Sequence, residues 1–413
     1  MTSATRSTLT LLWLSVPLGA CGSGTGEDVL GPLRVEREER GDTTIVRTLR
    51  GSVWGDTATL VAEVVIGELD GAPAYVFGQI AGLELDPVGR LLVVDQSERE
   101  LRIFDTGGTH LLTVGRRGSG PGEFQRPDYV RATRDGRIVV RDQPFRFSVF
   151  SHDGTHLSSW LLGTGYSTSD PFFLDPQDRV LNPSSFDHLV RYELDGRSLD
   201  TIPIPRGGYT PPQLEVVGDR MRATYSIPFM PREWWRLTSD GRTLFGMTGR
   251  YALDRWEPSG RIFRIERHVE PVAVQPAEGD QAHEQITLNI RRNNAPGWRW
   301  NGPGIPAVKP PIRGVFPGRD GSIWVIRSVH AVERPDPDYE PERGNSFPTE
   351  WYEPQVADVF DAGGNYLGPV KLPENLRLYP MPVFTTEGVV ASATHEIGYH
   401  QIVRYRLVKP GAH

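Results

Sequence analysis

Short apolar runs separated by polar turns recur along most of the chain. Gly89-Arg90-Leu91-Leu92-Val93-Val94-Asp95-Gln96 returns as Gly136-Arg137-Ile138-Val139-Val140-Arg141-Asp142-Gln143, and Gly108-Thr109-His110-Leu111 returns as Gly154-Thr155-His156-Leu157, at offsets of 47 and 46 residues. Each unit reads as a turn, a β-branched strand, a second turn, a strand such as Leu101 to Phe104 or Ser148 to Phe150, then an Asp/Gly turn into another strand. Weaker copies follow at Asp178-Arg179-Val180-Leu181 with Arg191-Tyr192-Glu193-Leu194-Asp195-Gly196, and at the turns Asp240-Gly241 and Ser259-Gly260. Gly321-Ser322-Ile323-Trp324-Val325 with Val359-Phe360-Asp361-Ala362-Gly363-Gly364 supplies another. A period of roughly 40 to 50 residues with about four strands in each predicts an all-β chain folded as a β-propeller over residues 43–410. Six blades fit the length, with seven the alternative. A lone four-stranded sheet cannot cover both faces, whereas radial stacking buries each sheet against its neighbours. Ring closure calls for an N-terminal strand in the last blade, here Thr59 to Ile66 beside Gly388 to Ser392 and Gln401 to Leu407.

Two segments break the repeat. Within 276–294, Ala282, Ile286 and Ile290 recur every fourth residue and predict one short helix on the propeller rim. Between Glu333 and Pro354, seven acidic residues, two arginines and five prolines predict a long exposed loop.

The stretch Gly115-Arg116-Arg117-Gly118-Ser119-Gly120-Pro121-Gly122-Glu123-Phe124-Gln125-Arg126-Pro127 resembles the inter-blade loop of NHL-type repeats: glycine-rich, then Gly-Pro-Gly, an acidic residue, Phe, and a Pro that opens the next blade. That resemblance covers two blades, Ile80 to Leu162. Beyond them the chain is similar to the broader group of six-bladed propeller lipoproteins, most of which have no established activity.

At the N-terminus, Arg6 precedes an apolar run from Leu9 to Leu18 that is too short to cross a bilayer as a helix. It reads as a signal peptide over residues 1–20. Leu18-Gly19-Ala20-Cys21 resembles the lipobox of bacterial lipoproteins, which implies lipidation of Cys21 and, with Gly22 next, the outer membrane of the cell envelope. Residues 21–42, rich in glycine and charge, then read as a flexible tether. Cys21 is the only cysteine, so no disulfide supports the fold.

Composition narrows the partners. Glycine and proline make up 80 of 413 residues, which suits many short strands and turns. Without Arg6, 44 basic side chains face 52 acidic ones, a net charge of −8 that argues against nucleic acid. Only Lys309, Lys371 and Lys409 are lysines. So pervasive an arginine bias weakens any single arginine as a functional signal, including the local excess between Arg116 and Arg146.

Several constellations bear on chemistry. Asp95 and Asp142 end equivalent strands, where a ring of carboxylates would hold a cation such as Ca²⁺ in the central channel; the structural use of such aspartates is to accept N–H bonds from the next turn. Asp336, Asp338, Glu340 and Glu342 alternate on one side of an extended chain, but Pro341 stands in the acidic run and a solvated loop explains them. His395 and His400 are five apart in β-type sequence, the wrong spacing for a helical zinc pair. The glycine-rich loop with Arg116 and Arg117 offers amides and guanidiniums to an anion, without the Gly-Lys-Ser/Thr ending of a P-loop. No Gly-x-Ser-x-Gly elbow is present. Trp298, Trp300 and Trp351 lie beside the two insertions, where propellers build binding surfaces, although burial is the commoner use of such residues.

These features point to a membrane-anchored propeller that binds or scaffolds an envelope protein, peptide or glycan, with no catalysis and no confident cofactor. The alternative is a metal-dependent propeller enzyme, similar to the lactonases or the amidating lyase.

Overall fold

The computed structural model describes residues 33–143, 146–162, 170–184, 187–218, 222–293, 295–343 and 346–411. Cys21, the signal segment and most of the expected tether lie outside the described residues.

Six four-stranded antiparallel blades follow one another round the ring. Blade 1 runs through Ile80–Leu85, Leu91–Asp95, Glu100–Phe104 and His110–Val114. Blade 2 repeats it with Pro127–Ala132, Ile138–Asp142, Arg146–Phe150 and His156–Leu161. Blade 3 uses Phe173–Leu174, Val180–Pro183, His188–Tyr192 and Ser198–Pro203. Blade 4 uses Glu233–Leu237, Thr243–Met247, Ala252–Trp256 and Ile262–Arg267. Blade 5 comprises Ile312–Pro317, Ile323–Arg327, Val356–Phe360 and Tyr366–Lys371. Blade 6 comprises Val383–Thr385, Gly388–Thr394 and His400–Val408, completed by a strand from the other end of the chain.

Burial explains the sequence pattern. Leu91–Asp95 and Ile138–Asp142 are buried at every position, because a second strand is covered on both faces by neighbouring blades. Such strands read as continuous apolar runs rather than alternations. The outer strands His110–Val114 and His156–Leu161 alternate instead, since one face meets water. The repeated Gly108 and Gly154 serve two ends at once. Both have positive φ, 89° and 83°. A Cβ on Gly108 would lie 2.8 Å from Val64, and one on Gly154 2.7 Å from Leu112 and Val114, so each turn tip touches the adjacent blade.

Three strands precede blade 1. Arg34–Arg40 (β1) pairs with Thr43–Arg50 (β2), and β2 lies parallel to Ile262–Arg267, so the two extend blade 4 to six strands. This corrects the tether, which had been drawn as far as residue 42. Ile45 and Val46 of β2 are buried, while β1 is an edge strand whose charges resist further pairing. A charged edge and a charged linker have the same composition. Ala58–Ile66 (β3) closes the ring as the outer strand of blade 6, in register from Thr59 opposite Val408 to Ile66 opposite Ile402. Ala58 and Thr59 also meet Val370 and Lys371 of blade 5.

In each blade the first and third strands run opposite to the second and fourth. Links between blades therefore emerge on the same face as the loop between the second and third strands. The three large insertions all use these positions. Gln213–Val217 pairs with Arg222–Ser226 between blades 3 and 4. Helix α1, Pro276–Asn293, lies between blades 4 and 5. Val332–Pro335 pairs with Thr349–Tyr352 inside blade 5. The acidic, proline-rich segment is thus a hairpin at its base rather than a loop throughout. Arg334 holds it, bonded to Glu350 at 2.7 Å and stacked 3.8 Å over Tyr352. Helix α1 is where the four-residue spacing predicted it, but it packs on the first hairpin: Ile290 joins Leu214, Val216, Ile227 and Trp298 in a small separate core.

Candidate functional site

The three insertions roof part of one propeller face and enclose a cleft of about 1000 Å³. Its walls bring Phe229 and Arg232 from the approach to blade 4 together with Gln281 and Gln285 of α1. Arg313 and Phe316 come from the inner strand of blade 5, and Phe347, Trp351 and Tyr352 from its hairpin. Aromatic faces, prolines, amides and charges of both signs thus converge on one concavity, the usual make-up of a ligand site.

A buried ion cluster sets the geometry of this roof. Lys309 Nζ lies 2.6 Å from Glu278 on α1 and 3.2 Å from Glu353 beyond the hairpin. Glu353 also accepts the Val329 N–H at 2.8 Å and faces Arg313 at 3.7 Å. Glu278 accepts the Gln275 N–H at the start of α1. The helix, the hairpin and blade 5 are therefore tied at one ammonium, which also lies 5.5 Å over the Phe229 ring. Phe229 itself has a φ of 59°. A bulky residue seldom adopts that left-handed conformation, and such strain gathers at ligand-binding positions.

Of the tryptophans singled out by sequence, Trp351 lines the cleft and the other two do not. Trp298 is buried and donates to the Glu215 carbonyl at 2.8 Å, holding α1's exit to the first hairpin. Trp300 stacks on His283 at 4.3 Å and donates to the carbonyls of Gly302 and Pro303. Both hold the insertion together.

Asp95 and Asp142 are buried at the ends of their strands. Asp95 accepts N–H bonds from Gly78, Gln79 and Ser97 and lies 3.5 Å from Arg102. Asp142 accepts from Gln125 and Arg126 and pairs with Arg146 at 2.6 Å. Their oxygens are occupied by donors that tie each blade to the link entering it, and among the described residues only Asp95 also accepts from the turn that follows, as expected from the sequence. Among the described residues, no three His, Cys, Asp or Glu side chains gather as a metal site.

The glycine-rich loop is likewise folded on itself. Gly118 N–H donates to Phe124, Gly120 N–H to the Glu123 carboxylate, and Phe124 N–H to Arg116. Glu123 also holds Arg116 at 2.9 Å, and this pairing with the Gly120 amide keeps its carboxyl below the usual range. Arg117 is exposed. The amides of Gly118, Gly120, Glu123 and Phe124 are committed within the loop, and neither arginine joins the cleft.

Sequence reading passed over Phe229, Arg232, Arg313 and Phe347, which no motif marks. Lys309 did carry a signal. A buried lysine in a chain that otherwise uses arginine almost everywhere marks a place where a compact ammonium is needed.

Fold and site define a six-bladed β-propeller with an insertion-roofed cleft on one face. Residues 74–156, blade 1 and most of blade 2, match the family model DUF5128, described as a 6-bladed beta-propeller. Among solved structures, a member of the DUF4221 family from Bacteroides vulgatus is similar over 86% of this chain and 99% of its own, with 13% identity and a TM-score of 0.50. A candidate exported protein from Bacteroides fragilis is similar over 88% of this chain and 100% of its own, at 11% identity and a TM-score of 0.47. Virginiamycin B lyase from Staphylococcus aureus covers 80% of this chain and 95% of its own, at 11% identity and a TM-score of 0.39. At 13% identity the DUF4221 structure shows a shared fold alone. No curated protein matches the chain.

Proposed function

We propose that this protein is a lipid-anchored binding propeller of the bacterial envelope, and that the roofed cleft receives its ligand, an envelope peptide or glycan. The observation that carries this reading is the convergence of three separate insertions on one face, around a cleft of about 1000 Å³ that includes the strained Phe229. Insertions of this kind are not needed to close a propeller, and binding surfaces are commonly built from them. Aromatic walls offer stacking to sugar rings or proline-rich peptide, and Arg232, Gln281 and Gln285 offer directional hydrogen bonds.

Capture from envelope extracts, comparing the native chain with a Trp351→Ala, Phe347→Ala variant, tests the cleft. The native chain is expected to retain a defined ligand that the variant loses. Equal capture by both would move binding elsewhere, and no capture by either would remove the reading. Anchoring rests on the N-terminal sequence. Cys21→Ser is expected to shift the protein from the membrane pellet to the soluble fraction, since lipid chains supply the attachment. Unchanged pelleting after carbonate washing would contradict the anchor.

A further inference from the structure

Behind the Lys309 cluster lies a second cavity, of about 430 Å³, between the end of blade 4 and the segment that leads into blade 5. Two guanidiniums line it, Arg267 and Arg327. Both lean on one carboxylate, the fully buried Asp358, at 2.9 and 3.4 Å. That carboxylate already accepts the hydroxyls of Tyr251 and Tyr366, at 2.6 and 2.7 Å. Arg327 Nε faces Asp358 at 3.4 Å without a hydrogen bond, and this contact is the ion pair its guanidinium makes among the described residues. Lys309, on the same wall, does not change this balance. Its charge and that of Arg313 are matched by Glu278 and Glu353. Glu270, the acidic residue on the wall, is 78% exposed and faces His268. Asp358 thus divides its single charge between two guanidiniums beside a cavity.

A largely buried guanidinium without hydrogen bonds is costly, and a planar oxyanion satisfies it best because two parallel N–H groups meet two oxygens. The rest of the wall is apolar, with Val269, Val272, Pro306 and Val308. We infer that this cavity is a binding site for a small organic carboxylate with an apolar body, its carboxylate on Arg327 and its body against Val269 and Val272. The inference does not rest on the roofed cleft, whose variants leave this cavity intact.

Titration calorimetry on the purified full chain, with benzoate, benzamide and inorganic phosphate as probes, tests it. Saturable binding of benzoate is expected, with benzamide and phosphate much weaker. Arg327→Gln is expected to weaken benzoate by about ten- to a hundredfold, the worth of a charged hydrogen bond. Its unfolding midpoint should fall less than that of Asp358→Asn, because Arg267 still pairs with Asp358 at 2.9 Å. Arg327→Lys, which keeps the charge but not the fork, should bind benzoate less well than the native chain. No saturable benzoate binding, benzamide or phosphate binding as tightly as benzoate, or an Arg327→Gln variant that binds as the native chain does would each overturn the site. The three probes on the native chain decide the matter even if a variant fails to fold.

Discussion

Asp358→Asn is expected to destabilise the folded chain by about 3–5 kcal/mol, the usual effect of removing one partner from a buried ion pair. The substitution keeps the volume, so no cavity contributes. What changes is that Arg267, at 2.9 Å, loses a counter-charge, and an amide nitrogen replaces one of two oxygens that had accepted from donors. Tyr251 and Tyr366 are such donors here, because burial first and the Asp358 charge next push their hydroxyls far above the ordinary value. Asp358 joins blade 4, through Tyr251 and Arg267, to blade 5, so the loss should open that seam. Equilibrium denaturant unfolding measures it as a lower midpoint at unchanged slope. A shift worth less than about 1 kcal/mol would mean that the cluster is not a stability element.

The same residue fixes a pH dependence. Burial raises the Asp358 carboxyl, but the charges of Arg267 and Arg327 and the two tyrosine hydroxyls outweigh it, leaving the group below its ordinary value of 3.8. A carboxyl whose folded value lies below its unfolded one contributes stability in full above the unfolded value and loses it as pH falls through the folded value. The native chain should therefore lose this contribution only below about pH 4. The gap between the native chain and Asp358→Asn should narrow over that range. A gap that stays constant down to pH 2 would count against the assignment.

The second large effect concerns ring closure. A chain that begins at Gly67 lacks β3, so His400–Val408 becomes an open nine-residue edge and Ile66 no longer covers the seam to blade 1. Loss of the native folded state is expected, with aggregation or strand exchange in its place, since an unpaired apolar edge recruits other chains. A chain that begins at Gly51 lacks only β1 and β2, which extend blade 4 on its outer side, and should remain folded without aggregating. Light scattering and thermal unfolding of the two truncations separate the roles. Equal behaviour would remove β3 as the closing element. A synthetic peptide of residues 57–67, added to the shorter chain, should restore cooperative unfolding.

Where composition was the guide, sequence reading was weakest. Composition alone assigns β1 to a tether and the base of the second hairpin to a loop, because charged residues on an edge strand, on a hairpin and on a linker look alike until pairing partners are known. Trp298 and Trp300 looked as open to a ligand as Trp351 for a related reason. All three flank insertions, and only the way α1 packs on the Gln213–Ser226 hairpin buries Trp298 and half-buries Trp300. Asp95 and Asp142 were legible as repeat positions, and the structure adds which N–H groups they hold.

By itself, the sequence determined the blade. The repeated Gly-Arg-apolar-Asp runs and Gly-Thr-His-Leu turns specify strands, turns and their period, because these depend on local periodicity and on glycine where φ is positive. It also marked β3 as the closing strand and α1 as a helix. Only the tertiary structure decided where the chemistry gathers. The cleft joins residues from Phe229 to Tyr352, and the Asp358 cluster joins Tyr251 to Tyr366, with no shared motif. These sets meet because alternating strand directions send every large insertion to one face and radial stacking packs neighbouring blades face to face, and neither relation is a pattern along the chain.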